Sequence, residues 1–277
     1  MSQLQVTLEE AAARAVAGGV PPEDLHPVYR ALLDRRGDPA PASPPPSPSP
    51  GTAPSGASAG GGSPGELALI TAQLTARALL VLAVTDHEGT RRLRVALAPQ
   101  RITLETSHGA GPALLEQAAL EVLPERITAL LTRAGIAPSV PRQEVGREAE
   151  ALRLTDEQVA SARESLARGV APVVAFGALD DLPVPLRDAL TARGPRLAAS
   201  LTLHDPRHRA LVGPVSWSRL WVRGEHGLYR TDASLAPLGP VLPVGDGDVA
   251  GSLLAVIEEG VRFAAAAMAA PGPGDRR

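Results

Sequence analysis

Two stretches of alternating apolar residues, each running into a polar turn, constrain this chain more than any other feature. In the first, Leu80, Leu82 and Val84 lead to the turn Asp86-His87-Glu88-Gly89, Leu93, Val95 and Leu97 alternate beyond it, and Ile102 and Leu104 mark a third strand. In the second, Leu197, Ala199, Leu201 and Leu203 lead to His204-Asp205-Pro206-Arg207-His208. Leu211 to Arg223 then supplies one or two strands, and Leu228 to Thr231 pairs back across Gly224-Glu225-His226-Gly227. A period of two with polar hairpin loops predicts half-buried antiparallel strands.

Helical spacing surrounds both stretches. Glu66 to Arg77 places Leu67, Ile70 and Leu74 on one face, and Ala113 to Ala134 reads as helical, its better-formed part starting at Pro124 and stopped by Gly135. In the second half, Thr155 with Gln158 opens a helix through Arg168, Val184 to Arg193 makes another, and Asp248 caps a last one carrying Val249, Leu253, Val256, Ile257 and Val261. Leu74-Thr75-Ala76-Arg77 and Leu190-Thr191-Ala192-Arg193 stand just before the first strand of each half. The shared order of helix, hairpin, further strand and helix points to a duplication. The expected fold is α+β: a pseudo-two-fold duplication with a mainly antiparallel central sheet flanked by helices.

Ahead of it, Thr7 to Arg36 reads as two short helices, the first capped by Thr7 with Glu10 and ended by Gly18-Gly19, the second opened by Pro21-Pro22 and Asp24. From Asp38 to Gly65 the chain is Pro, Ser, Gly and Ala, too poor in apolar side chains to offset its ordering entropy. The domain reading is therefore a helical segment over 1–37, a disordered linker over 38–65, and an α+β domain over 66–277 with halves at about 66–136 and 152–263.

The chain has no Cys, Lys or Asn, which fits a GC-rich genome and removes thiol, lysine Schiff-base and Walker-A chemistry. A formal charge of −3 with interleaved acids and bases leaves no phosphate footprint, so nucleic acid is not an expected partner. The N-terminus lacks a basic and apolar leader, and Leu79 to Val84 and Ala264 to Ala270 fall far short of the roughly 20 residues that span a bilayer. A cytoplasmic protein without membrane insertion is expected.

No motif assembles a reaction centre. Gly56-Ala57-Ser58-Ala59-Gly60 spells a nucleophile elbow but lies in the Pro/Ser/Gly stretch, without the strand and helix that strain such a serine. His204 and His208 fall in a turn with no third ligand tied to them, so they read as exposed polar residues rather than a metal site. Asp180-Asp181 and Glu258-Glu259 are adjacent pairs whose side chains diverge, and His108-Gly109-Ala110-Gly111 is too short to cradle phosphate. No catalytic, cofactor-binding or metal residue is assigned, and no cofactor is expected.

Functional content concentrates in Ser216 to Arg223. Aromatics are only 2% of the chain, yet both tryptophans fall here, and a strand puts Trp217, Arg219, Trp221 and Arg223 on one face. Trp and Arg are favoured anchors of protein interfaces, so these four are the candidate protein-binding residues. The competing reading has the tryptophans under helices inside the fold and the arginines reaching outward.

From Ala78-Leu79-Leu80-Val81-Leu82 through Arg91-Arg92-Leu93-Arg94-Val95 to Leu123-Pro124, and again at Val215-Ser216-Trp217 and Gly227-Leu228-Tyr229, the chain resembles the ESX secretion-associated, EspG-type family of actinobacteria over roughly Glu66 to Phe263. The resemblance implies a quasi-two-fold α+β fold and a cytosolic chaperone that binds the helical tip of PE–PPE pairs before type VII export. The family's N-terminal region is continuous with its fold where this chain has a Pro-rich stretch, and Leu228 stands where the family often has Arg. The expected function is a non-catalytic chaperone or adaptor for a helical protein partner. The alternatives are a small hydrolase, in which His108 or His226 meets a carboxylate and a hydroxyl, and a small-molecule-binding regulatory domain.

Overall fold

The structure, a computed structural model, describes residues 3–37, 63–109, 111–142, 151–206, 215–231 and 240–269. Nine strands form one antiparallel sheet: β1 (Gln3–Val6), β2 (Ala78–Asp86), β3 (Gly89–Leu97), β4 (Arg101–His108), β5 (Ala113–Ala119), β6 (Arg196–Leu203), β7 (Val215–Arg223), β8 (Leu228–Thr231) and β9 (Val241–Val244). Their order is β1-β5-β4-β3-β2-β6-β7-β8-β9. Two four-strand meanders run outward from a central antiparallel junction in which Leu80 faces Leu201 and Leu82 faces Ala199.

Helices cover both faces. On one side lie α4 (Leu123–Arg133) and the long α8 (Gly247–Ala269). On the other, α1 (Leu8–Ala17), α2 (Pro27–Gly37) and α3 (Pro64–Leu74) cover the first meander, and α5 (Asp156–Ala167), α6 (Pro172–Gly177) and α7 (Val184–Thr191) cover the second. Alternation divides the core. Leu80, Leu82, Val84, Leu93, Val95, Leu197 and Leu201 pack towards α4 and α8, while Leu79 and Ala96 pack towards α1–α3. Central β2 is buried on both faces, which explains its unbroken run from Ala78 to Val84.

The duplication reaches further back than the sequence reading placed it. Leu4 to Thr7 enters along the outer strand of the first meander, where β1 pairs with β5. Leu152 makes the equivalent antiparallel bridge to Val241 on the outer strand of the second. Three residues after each leucine a threonine caps a helix: Thr7 Oγ1 accepts from Glu10 N and Thr155 Oγ1 from Gln158 N, both at 3.2 Å. Each helix then ends at a glycine of positive φ, Gly19 at 93° and Gly169 at 80°. The valine after each glycine donates back into the last turn, Val20 to Ala15 and Val170 to Ser165. The first unit therefore includes Gln3–Val6, and the N-terminal helices share a core with α3 rather than standing apart.

Three local expectations change. Ala113–Ala119, read as the start of a helix, is β5, because pairing with β4 on one side and β1 on the other overrides the helix preference of Ala, Leu, Glu and Gln. The second N-terminal helix begins at Pro27, after a short 3-10 turn over Pro22–Asp24. Residues 63–65 belong to folded structure, since Ser63 and Glu66 form a reciprocal capping box for α3; the rest of the Pro/Ser/Gly stretch, with Gly56-Ala57-Ser58-Ala59-Gly60, lies outside the described residues.

Candidate functional site

Trp217, Arg219, Trp221 and Arg223 share the β7 face turned towards α8. Trp221 is 0% exposed, and its indole Nε1 donates to Asp248 Oδ2 at 2.9 Å. Arg230 on β8 lies opposite Trp221 and donates to the other oxygen of the same carboxylate. Asp248, expected as a cap, thus sits in the first turn of α8 and spends its side chain on the sheet. The guanidinium of Arg219 lies 5.3 Å from the Trp217 ring centroid and donates to Ser252 Oγ at 2.6 Å, and Arg223 pairs with Asp246. Trp217 and Arg219 remain half-buried. The ladder is a set of fasteners that fixes the first turns of α8 to β7 and β8.

That fastening shapes what lies on the other side of α8. Between it and α4 runs an apolar groove of about 300 Å³. Leu123, Ile127 and Leu131 rise from α4 at intervals of four, and Leu253, Leu254 and Ile257 face them from α8. Five of the six are floor or wall; Leu254 is 52% exposed and forms the rim. One end is closed by residues 137–141, which are tied to the start of α8. Ala137 N donates to Asp246 Oδ2 at 3.1 Å and Arg142 N to the Gly247 carbonyl at 3.0 Å. Asp246 therefore joins the ladder and the groove, taking Arg223 on one oxygen and the Ala137 amide on the other.

The hydrolase alternative meets its test on the opposite face. His226 does meet a carboxylate: its Nδ1 lies 3.4 Å from Asp188 Oδ2. Asp188, on α7, is already engaged, accepting from Glu225 N at 2.8 Å, His226 N at 2.9 Å and the Tyr229 hydroxyl at 2.8 Å. Burial pushes the Asp188 carboxyl up, but the two backbone N–H groups, the Tyr229 hydroxyl and the His226 ring outweigh it and hold it below the usual carboxylate range. Tyr229 is pushed up to about 12 by burial and by Asp188, so it keeps its proton. The constellation latches the β7–β8 turn to α7. The one hydroxyl bonded to Asp188 spends its proton there instead of approaching the imidazole.

His204 corrects its sequence reading. It is buried just past the end of β6, donating its backbone N–H to the Arg77 carbonyl at 2.8 Å, because this strand end packs against His26, the residue before α2, instead of turning into solvent. Its ring stands edge-on to that of His26, 5.9 Å away and also fully buried. His208 lies outside the described residues, as does Ala110 of the His108–Gly111 loop. Asp181 holds a turn at positive φ, and Glu258 pairs with Arg262 on the exposed side of α8. Among the described residues, no three His, Cys, Asp or Glu side chains gather to hold a metal ion, and no helix is long and apolar enough to cross a membrane.

No family model and no curated protein matches the sequence. Among solved structures, the chain is similar to the Mycobacterium tuberculosis type VII secretion system chaperone EspG5, determined in complex with the PE25–PPE41 dimer. The identity is 12% and the TM-score 0.46, over 95% of this chain and 96% of that one. A score and identity that low say nothing of what this chain binds.

Proposed function

We propose that this chain is a non-catalytic cytoplasmic chaperone or adaptor that holds a helical segment of another protein, with type VII (ESX) secretion substrates as the partner class. The observation that carries the reading is the α4/α8 groove. It is apolar along its length, is lined from both sides at helical intervals, and has an exposed leucine at its rim. An amphipathic helix recognises such a groove by seating anchors spaced three and four residues apart. In this reading Trp217, Arg219, Trp221 and Arg223 serve the partner indirectly, by holding the α8 wall of the groove in place. The partner class rests on the sequence resemblance alone.

The test is affinity capture from the native host with the wild type and with Leu254→Asp, a change at an exposed position that leaves the core alone. The wild type is expected to retain a secreted helical protein or pair, and the variant to lose it while melting within a degree or two of the parent. Equal retention by both proteins refutes the groove. Turnover of a p-nitrophenyl ester by pure protein that disappears in His226→Ala refutes the non-catalytic reading.

A further inference from the structure

A second cleft, of about 340 Å³, lies on the other face of the sheet, under the start of α1 and beside α2 and α3. Leu32, Leu74 and Leu115 give it an apolar wall, while Gln73, Arg92, Arg94 and Glu105 gather at its polar side. The volume falls in the range of about 300–1,000 Å³ usual for small-molecule sites.

The polar side contains a hydrogen-bond chain whose direction is fixed. Glu105 is ion-paired with Arg94 and so only accepts. The Tyr29 hydroxyl therefore donates to Glu105 Oε2, at 2.6 Å. Tyr29 is 0% exposed, and burial together with Glu105 pushes its pKa well above the usual 10, so that proton stays in place. The remaining lone pair of Tyr29 accepts from Gln73 Nε2, which settles the orientation of the amide. The chain then ends on Gln73 Oε1, a carbonyl oxygen on a fully buried side chain that meets no donor among the described residues. Leaving such an acceptor unmatched is costly, and an amide flip would only move the mismatch onto Tyr29. The charge is also unbalanced: of Arg92, Arg94 and Glu105, only the last two neutralise each other. Arg92, which lines the cleft, spends one donor on the Gly109 carbonyl at 3.1 Å and keeps its other guanidinium N–H groups for a ligand.

We propose that this cleft binds a monoanionic amphipathic small molecule, with its apolar body on Leu32, Leu74 and Leu115, its acid group on Arg92, and a neutral N–H or O–H donating to Gln73 Oε1. The site is separate from the α4/α8 groove and stands whether or not that groove takes a helix.

The probe is N-octanoylglycine, which carries an amide N–H, a carboxylate and an apolar tail. It is titrated into the full chain by calorimetry beside octanoate, which lacks the donor, and N-octanoylglycine methyl ester, which lacks the charge. Saturable one-to-one binding of the acylglycine is expected, with octanoate about tenfold weaker for the missing hydrogen bond. Arg92→Gln, at a half-exposed position, lowers the affinity for the acylglycine to that of the ester. Gln73→Leu erases the preference for acylglycine over octanoate; should that buried change prevent folding, the Arg92→Gln comparison decides alone. Non-saturating uptake, equal affinity for the three probes, or unchanged affinity in Arg92→Gln overturns the proposal and leaves ordered water as the partner of Gln73.

Discussion

His26 should make this protein lose stability in mild acid. The side chain is fully buried where α2 begins, and its backbone N–H donates to the Leu74 carbonyl at 2.7 Å, tying the N-terminal helices to the end of α3. The Thr202 carbonyl only accepts, so Nε2 carries the proton across the 3.4 Å between them, and Val28 N donates to Nδ1 at 3.3 Å. A second proton would face the Val28 N–H. Burial lowers the pKa from 6.5 to about 4, helped by His204 and Arg30 and opposed by the Thr202 carbonyl. Above pH 6.5 the imidazole is neutral in both states and pH has no purchase. Between 6.5 and about 4 the unfolded chain binds a proton that the folded one refuses, so stability falls with pH until the folded pKa is reached. At about 1.36 kcal/mol per pH unit, the loss is roughly 2 kcal/mol between pH 7 and pH 5 and roughly 3 when complete. Urea denaturation of the wild type and of His26→Gln at pH 7.5, 6.5, 5.5 and 5 isolates this contribution. Glutamine keeps a donor and an acceptor without the charge, and the exposed carboxylates, His204 and Arg30 are common to both proteins. The wild type should converge on the variant as pH falls, by about that amount. Parallel curves would refute the reasoning, because they would mean that the buried imidazole is not kept neutral.

Asp248→Ala removes the acceptor of the Trp221 indole N–H and the carboxylate paired with the buried Arg230 guanidinium, and should cost about 3–5 kcal/mol in urea denaturation. Gly247→Ala places a Cβ only 2.4 Å from the Val140 carbonyl oxygen, so backbone must move; a loss of roughly 1–3 kcal/mol and a weakened hold of residues 137–142 on α8 are expected, read by denaturation and by proteolysis of that segment. Asp188 has a lowered pKa, so its stabilising hold on the β7–β8 turn is present above the unfolded value and fades as pH falls through the folded one. In Asp188→Ala that acid-side slope should disappear, and amide exchange at Glu225 and His226 should quicken at neutral pH.

What was legible in the sequence follows from where the information is local. Period-two alternation in Leu80–Val84 and Leu197–Leu203 identified the two central strands because one face of each is continuously buried. The threonine caps and the glycine stops were legible because a cap is settled within four residues. The outlying strands were not. Gln3–Val6 and Val241–Val244, at the two sheet edges, and Ala113–Ala119, paired on both sides just inside one of them, become strands because neighbours offer unpaired backbone. The extent of the duplication was hidden for the same reason. Its first mark in each unit is a leucine on an outer strand and a threonine three residues later, which means nothing until both are seen on equivalent edges. The side chains that organise the sites escaped differently. His26, Gln73, Asp188 and Asp248 are single polar residues whose partners are distant in sequence, between 27 and 176 positions apart in the bonds of Asp248 to Trp221 and His26 to Thr202. Trp217 and Trp221 could be placed on one face by spacing, but which face α8 covers depends on the last helix of the chain.

The candidate groove lies where the two units stop being alike. Each meander is followed by a helix on the same face of the sheet, but α4 has 11 residues and α8 has 23. A strict duplicate would have placed two short helices side by side, each covering its own meander. The longer helix instead crosses the centre. Gly260 comes so close to the sheet that a Cβ there would lie 2.5 Å from Leu97 and 3.2 Å from Leu201, side chains from different units. An α8 that spans the junction is held by the Trp221, Arg230 and Arg223 contacts at its start and by this close approach further along, so it is fixed independently of α4. The gap between the two helices is then set by the sheet rather than by their own packing, and it stays open along Leu123, Ile127 and Leu131. A preformed opening of this kind spares a partner the cost of prising two helices apart. In the proposed reading, partner specificity is built into the asymmetry of α4 and α8 rather than into the symmetry of the sheet.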